Sequence, residues 1–248
     1  MTLSIALQLF SVRDEAEKDF IETLQRVAEI GYHGVEFAGY GGLTSSELKK
    51  VLEDLKLKPC GSHVSIDDLE NRLDDVITYN VEIGNKYIIC PWYVFESKKD
   101  YLHVASVLKE AAKKCKNHNL KIGFHNHANE FIEYDGQRGL DLLLDQSGDE
   151  VIVELDTYWV EYAGINPISY MEKYQDRCKL LHIKDMEIVE GEKRSTEVGN
   201  GIMDISSIVE AAKKSNVEWL VVEQEFFTKP SLQSVSESFE YLNNLLRN

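Results

Sequence analysis

Four pairs of ionisable residues recur at two-residue spacing in the second half of the chain. They are His125 and His127 in KIGFHNH, Glu154 and Asp156 in VIVELDT, His182 and Lys184 in KLLHIKD, and Glu223 and Glu225 in WLVVEQEF. Alternate side chains of an extended strand face the same way, so each pair shares one face. The intervening or preceding residues Phe124, Leu155, Ile183 and Val222 are apolar and suit the opposite face. Eight ionisable groups brought into one interior must be paired, bound to a cation or kept wet, because burying any of them alone is costly. Carboxylates together with imidazoles suit Mn²⁺, Mg²⁺, Co²⁺ or Zn²⁺. Earlier apolar segments end in Gln8, Glu36, His63 and Trp92. Aromatics such as Trp92, Tyr158 and Trp159 are suited to walling a sugar-sized pocket.

These residues need elements to hold them. The four segments above, together with LSIALQLF, HGVEFA, KPCGSHVS and KYIICPW, read as eight strands. Helical periodicity recurs between them. Phe20, Leu24, Val27, Ala28 and Ile30 fall at helical spacing between Asp19 and a terminating Gly31, and Thr44 with Glu47 forms a capping-box pattern. Eight helices are expected, so each strand–helix unit averages about 31 residues, the length of one βα repeat. Alternation of this kind predicts parallel strands with helices outside. Eight units in 248 residues predict a single α/β domain, a (β/α)₈ TIM barrel over residues 1–248. A doubly wound open sheet is the rival, but LQLFSVRD lacks the Gly-rich phosphate fingerprint expected after its first strand. In the barrel, catalytic groups gather at the C-terminal ends of the strands, where the four pairs lie. The longest irregular stretch runs from Asp185 to Gly201 and reads as a loop or lid.

Composition excludes several function classes. With 27 basic and 43 acidic residues the formal charge is −16, and no basic patch is present to hold a phosphate backbone. No apolar run approaches the roughly 18 residues of a membrane span. The N-terminus has no basic region ahead of its short apolar run and does not read as a signal peptide. Cys60, Cys90, Cys115 and Cys178 are scattered and form no CxxC, as expected of reduced thiols in a cytoplasmic protein.

Taken in order, IALQLFSVRD, FHNHANEF, VELDTYWVEYAGINP, LLHIKD, EVGNGIMD and VVEQEF make the chain resemble the xylose isomerase-like TIM-barrel superfamily, and within it the sugar phosphate isomerase/epimerase group. The resemblance runs over nearly the whole chain. It implies a divalent metal held by one residue from each of strands five to eight. Carried over by motif, these are His125, Asp156, His182 and Glu223. Glu is the commoner residue at the first of these positions, so His125 removes a negative charge, and Glu130 is a substitute ligand if its loop folds back. A metal holding a carbonyl and its neighbouring hydroxyl stabilises the enediolate formed when a carbon-bound proton leaves. His127, Glu154 and Glu225 are the candidate bases, His127 being favoured because its ordinary pKa lies near neutrality. The resemblance also implies that Lys184 touches a substrate oxygen. Gln8, Glu36, His63, Trp92 and Trp159, from their places near the strand ends, are expected to line the substrate pocket.

The expected function is a metal-dependent isomerase or epimerase of a sugar, keto-sugar or related polyol. Two alternatives stay open. One is a lyase or dehydratase acting on a keto-inositol or keto-glycoside through the same site. The other is a metal-free sugar-binding barrel in which Asp156, His182 and Glu223 form a salt-bridge network. Endonuclease activity, found in a sister family, is disfavoured by seven histidines in all and the acidic charge. The expected partner is a small carbohydrate, with neither nucleic acid nor membrane, and the protein is expected to be a monomer or homodimer.

Overall fold

Strand-forming residues alternate with amphipathic helices along the chain, and in the computed structural model, which describes residues 3–247, this alternation closes into a ring. The eight barrel strands are β1 (Ser4–Gln8), β2 (Gly34–Phe37), β3 (Lys58–His63), β4 (Tyr87–Cys90), β5 (Lys121–His125), β6 (Ile152–Asp156), β7 (Cys178–Ile183) and β8 (Trp219–Val222). Each pairs in parallel with its sequence neighbours, and β1 pairs with β8 to close the barrel. The protein is a (β/α)₈ TIM barrel, as its element pattern requires.

The alternation of side chains divides two cores. Ala6, Cys60, Tyr87, Ile89, Ile152, Leu180 and Val221 fill the barrel interior. Phe124, Leu155, Ile183 and Val222 face the other way, into the larger apolar layer beneath the helices. One step further along the strands the interior positions turn polar. Register aligns Gln8 with Glu36 and Glu36 with Gly61 on one side. On the other side it aligns His125 with Glu154 and Asp156 with His182.

The expected caps form. Asp19 accepts from the Glu22 amide at the start of helix Phe20–Ile30, Gly31 ends that helix at φ +113°, and Thr44 and Glu47 complete a capping box. All four cysteines are free and buried. No helix among the described residues is long and apolar enough to cross a membrane.

The structure departs from the sequence reading in several places; the barrel strands, for one, end at His125, Ile183 and Val222, before His127, Lys184 and Glu225, the second residue of each of those pairs. The segment expected as one helix after β3 breaks at Arg72 into Ile66–Asn71 and Leu73–Glu82. A short helix, Thr157–Tyr162, starts directly on β6, with the Asp156 carboxylate accepting from the Trp159 amide. Finally, the stretch expected to be irregular after β7 is largely an antiparallel hairpin, Asp185–Val189 with Glu192–Thr196. It turns on Glu190 and Gly191, both at positive φ, the backbone that a tight two-residue hairpin needs. Its first strand alternates Met186 and Ile188 with Asp185 and Glu187, but its second, Glu192–Thr196, carries no apolar residue, so no matching pair of apolar patterns announces a hairpin. The segment after the hairpin is anchored as well. Buried Asp185 accepts from the amides of Met186, Gly199, Gly201 and Met203 at 2.8–3.1 Å.

Candidate active site

The ends of β5 to β8 bring the four pairs together. One oxygen or nitrogen from each of His125, Asp156, His182 and Glu223 lies within 4.8 Å of the others. A second cluster within the same limit contains His63, His125, Glu154 and His182. Glu130 joins neither. It is buried, and its carboxylate accepts from the His127 amide at 2.9 Å.

His182 is the hub. Its Nδ1 lies 2.9 Å from Glu223 Oε2, and its Nε2 lies 2.7 Å from Glu36 Oε2 and 3.2 Å from Glu154 Oε2. Burial pulls its pKa down, but the charges of Glu154, Glu36 and Glu223 outweigh this and hold it well above the usual histidine range. Glu223 is the converse case. Burial would raise it, and Lys184 and His182 hold it well below the usual carboxylate range. Lys184, fully buried, reaches Glu223 Oε2 at 2.8 Å, Asp156 Oδ2 at 3.0 Å and Glu225 Oε1 at 3.2 Å. Burial opposes its charge, but these three carboxylates raise its pKa overall. Asp156 is pushed up to about 6 by burial, which the Lys184 charge only partly offsets.

His125 and His127 stand apart from this charged set. Burial, reinforced by the cationic rings and Lys184 around it, keeps His125 well below its usual range. Burial and Lys184 bring His127 down to about 4. Both rings are therefore neutral at pH 7.

A cavity of about 360 Å³ opens above these groups, lined by Phe10, Ala38, His63, Pro91, Trp92, His125, His127, Glu223 and Glu225. Trp92 is 58% exposed at its mouth. The Trp159 ring lies 5.5 Å from that of His127, and Lys184 Nζ sits 5.4 Å from the Trp159 centroid. A larger hollow of about 710 Å³ lies around Leu69, His103 and Lys114, on the helices and away from this chemistry.

Thus the structure assembles His125, Asp156, His182, Glu223 and Lys184 in one group and sets His127, Glu225, His63 and Trp92 on the cavity wall. Gln8, Glu36 and Glu154 have no exposed surface and form a layer beneath the cavity. There Gln8 Nε2 donates to Glu36 Oε2 at 2.8 Å. His63 Nε2 bridges Glu36 and Glu154 at 3.2 and 2.9 Å.

Sequence reasoning missed Asn126. Its side chain accepts from the Asp156 amide at 3.0 Å and donates to the Asp156 carbonyl, tying the end of β5 to that of β6. Its place between His125 and His127 was the available signal. Phe10, Ala38 and Pro91 were also missed, since apolar and small residues carry no chemical signature.

The donor set fits a divalent cation. Asp156 spends Oδ1 on the Trp159 amide, while its buried Oδ2 faces Lys184 Nζ at 3.0 Å and His125 Nε2 at 3.8 Å. Two imidazoles and two carboxylates from four strands form the mixed nitrogen and oxygen set that Mn²⁺, Co²⁺ or Zn²⁺ accepts.

Residues 24–245 match the family described as xylose isomerase-like TIM barrel. The chain belongs to that family. It is similar to an inosose dehydratase of Clostridium beijerinckii, 26% identical over 170 residues that span 62% of this chain and 55% of that protein. The chain thus spans about half the length of the first curated relatives it matches. Among solved structures, a sugar phosphate isomerase/epimerase from Parabacteroides distasonis superposes with a TM-score of 0.83 at 25% identity, covering 98% of this chain and 94% of that one. The IolI protein, solved with a bound zinc atom, shares the fold, with a TM-score of 0.78 at 14% identity and 98% of both chains covered.

Proposed function

We propose that this member of the xylose isomerase-like family is a sugar-processing enzyme, a metal-dependent isomerase or epimerase of a sugar, keto-sugar or related polyol. The observation that carries this reading is the convergence of His125, Asp156, His182 and Glu223 beneath a cavity whose wall holds the neutral imidazole of His127. Those four residues would hold Mn²⁺, Co²⁺, Mg²⁺ or Zn²⁺. When bound, the cation would polarise a carbonyl and its neighbouring hydroxyl and so favour the enediolate.

The chain's own residues do the rest. His127 accepts the proton from the carbon beside the carbonyl. A base brought down to about 4 is weak, so it suits a carbon acid that has been strongly acidified. Lys184, held by Glu225, donates to a substrate oxygen and balances the developing negative charge. The His127 imidazolium formed in this step gives the proton back, while Glu225 in the cavity wall keeps Lys184 in place. Return to the opposite face of the original carbon gives an epimer, and return to its neighbour exchanges aldose and ketose. Trp92 and Phe10 offer apolar surface to the ring faces of a sugar at the mouth. A second reading is favoured by the curated relatives named inosose dehydratase. In it, the same proton leaves to His127, and a hydroxyl beta to the carbonyl departs with the proton that His127 has taken, so that water is lost.

Elemental mass spectrometry of the purified protein, alone and after Mn²⁺ or Zn²⁺ addition, tests the metal. Proton NMR in D₂O with a panel of keto-sugars and inososes tests the chemistry. About one ion per chain is expected, together with deuterium incorporation beside the carbonyl that His182→Ala and His127→Asn abolish. A new epimer or ketose identifies the isomerase, and a conjugated enone identifies the dehydratase. No bound metal and no exchange would overturn the proposal.

A further inference from the structure

Resting on the metal reading above, we infer that Glu36 and Glu154 are positioning residues for the two imidazole ligands. Glu36 receives the Nε2–H of His182 and Glu154 receives the Nδ1–H of His125, so that His182 presents Nδ1 and His125 presents Nε2 to the cation.

The distances assign these roles. The two nitrogens of His182 point to opposite carboxylates, Nδ1 to Glu223 at 2.9 Å and Nε2 to Glu36 at 2.7 Å. Glu223 belongs to the ligand set and Glu36 does not. For His125, Nε2 faces Asp156 Oδ2 at 3.8 Å and Nδ1 faces Glu154 Oε2 at 3.2 Å, outside hydrogen-bond geometry. A small turn of the His125 ring completes that bond. A metal-bound imidazole whose other N–H meets a carboxylate is held in one tautomer and orientation and becomes a stronger donor.

The layer behind the rings is built to keep both carboxylates in place. His63 Nε2 lies within 3.2 Å of Glu36 and 2.9 Å of Glu154 and so ties one to the other. Gln8 Nε2 donates to Glu36 and lies 3.3 Å from His63 Nδ1. Gly61 leaves room for Glu36, since a β-carbon at that position would overlap Glu36 Oε1. Glu36 and Glu154 are fully buried against the rings of His63 and His182, which fits them to act on the ligands.

Mn²⁺ affinity of the full chain, measured by competition with a fluorescent chelator, tests the inference beside pulsed EPR of the bound ion. Glu36→Gln and Glu154→Gln are expected to weaken Mn²⁺ about tenfold to a hundredfold. The number of histidine nitrogens coupled to Mn²⁺ is expected to fall from two to one in Glu154→Gln, a change that a purely structural role would not produce. Should either variant fail to fold, ¹⁵N-histidine NMR of the wild-type protein with Zn²⁺ decides. It is expected to show Nε2–H on His182 and Nδ1–H on His125. Variants that bind Mn²⁺ within twofold of wild type, or the reversed tautomers, overturn the inference while leaving the proposed function intact. A wild-type protein that binds neither ion overturns both.

Discussion

Lys184 is the buried cation that holds three carboxylates at the barrel mouth, and Lys184→Met removes the charge while nearly conserving the volume. In the wild type its ammonium lies 2.8 Å from Glu223, 3.0 Å from Asp156 and 3.2 Å from Glu225. Losing one partner of a buried pair costs about 3–5 kcal/mol because a charge is left uncompensated. Asp156, already pushed up to about 6, can take a proton and limit the loss, so about 3 kcal/mol is expected. In a chain of 248 residues that is a fall in Tm of about 6–12 °C, measured by calorimetry with EDTA present. Mn²⁺ should then raise Tm more in the variant than in the wild type, because Lys184 no longer competes with the ion for Asp156 and Glu223. A metal-free variant within about 1 kcal/mol of wild type would refute the reasoning, since the three carboxylates would not then depend on Lys184.

Three other outcomes follow from the packing. Asp185→Asn should lose two charge-assisted bonds to the 199–203 segment, those from Gly199 and Gly201, at a cost of about 3 kcal/mol in guanidinium unfolding, and a loss below about 1 kcal/mol would show that the clamp is dispensable. Gly61→Ala should cost about 1–3 kcal/mol, because its methyl group meets the buried carboxylate of Glu36, and an unchanged Tm would mean that this layer yields without strain. Glu130 supplies a pH dependence. Burial raises its carboxyl to about 7 from an ordinary 4.5, so the folded state binds this proton more tightly than the unfolded state. Its contribution to stability is therefore complete below about 4.5 and is lost as pH rises through about 7, a difference of about 3 kcal/mol. Guanidinium unfolding at pH 5 and pH 8 should show Glu130→Gln abolishing that part of the decline, and parallel curves for the two proteins would contradict it.

Two periodicities carried the fold. Spacing near 3.6 residues with caps at Asp19, Gly31 and Thr44 marked helices, and apolar runs of strand length between them marked the barrel strands. The departures lie where local pattern is weak. The second strand of the hairpin after β7 has no apolar residue, and helix Thr157–Tyr162 is only six residues long and is capped by the strand-end carboxylate of Asp156.

By itself, the sequence determined which residues share a face. Alternation against the apolar Phe124, Leu155, Ile183 and Val222 puts His125, Asp156, His182 and Glu223 on the other face from them, and parallel order brings the ends of their strands to one side. Tertiary structure alone decided their depth and their partners. Gln8, Glu36 and Glu154 also face inward, yet the stagger of the strands places them below the cavity, where they meet His63 and His182 instead of the open cavity. Lys184 finds Asp156 and Glu223 because β6, β7 and β8 stand side by side. Side-chain direction follows from the local geometry of one strand, whereas height within the barrel and the charge facing each group depend on the register among all eight.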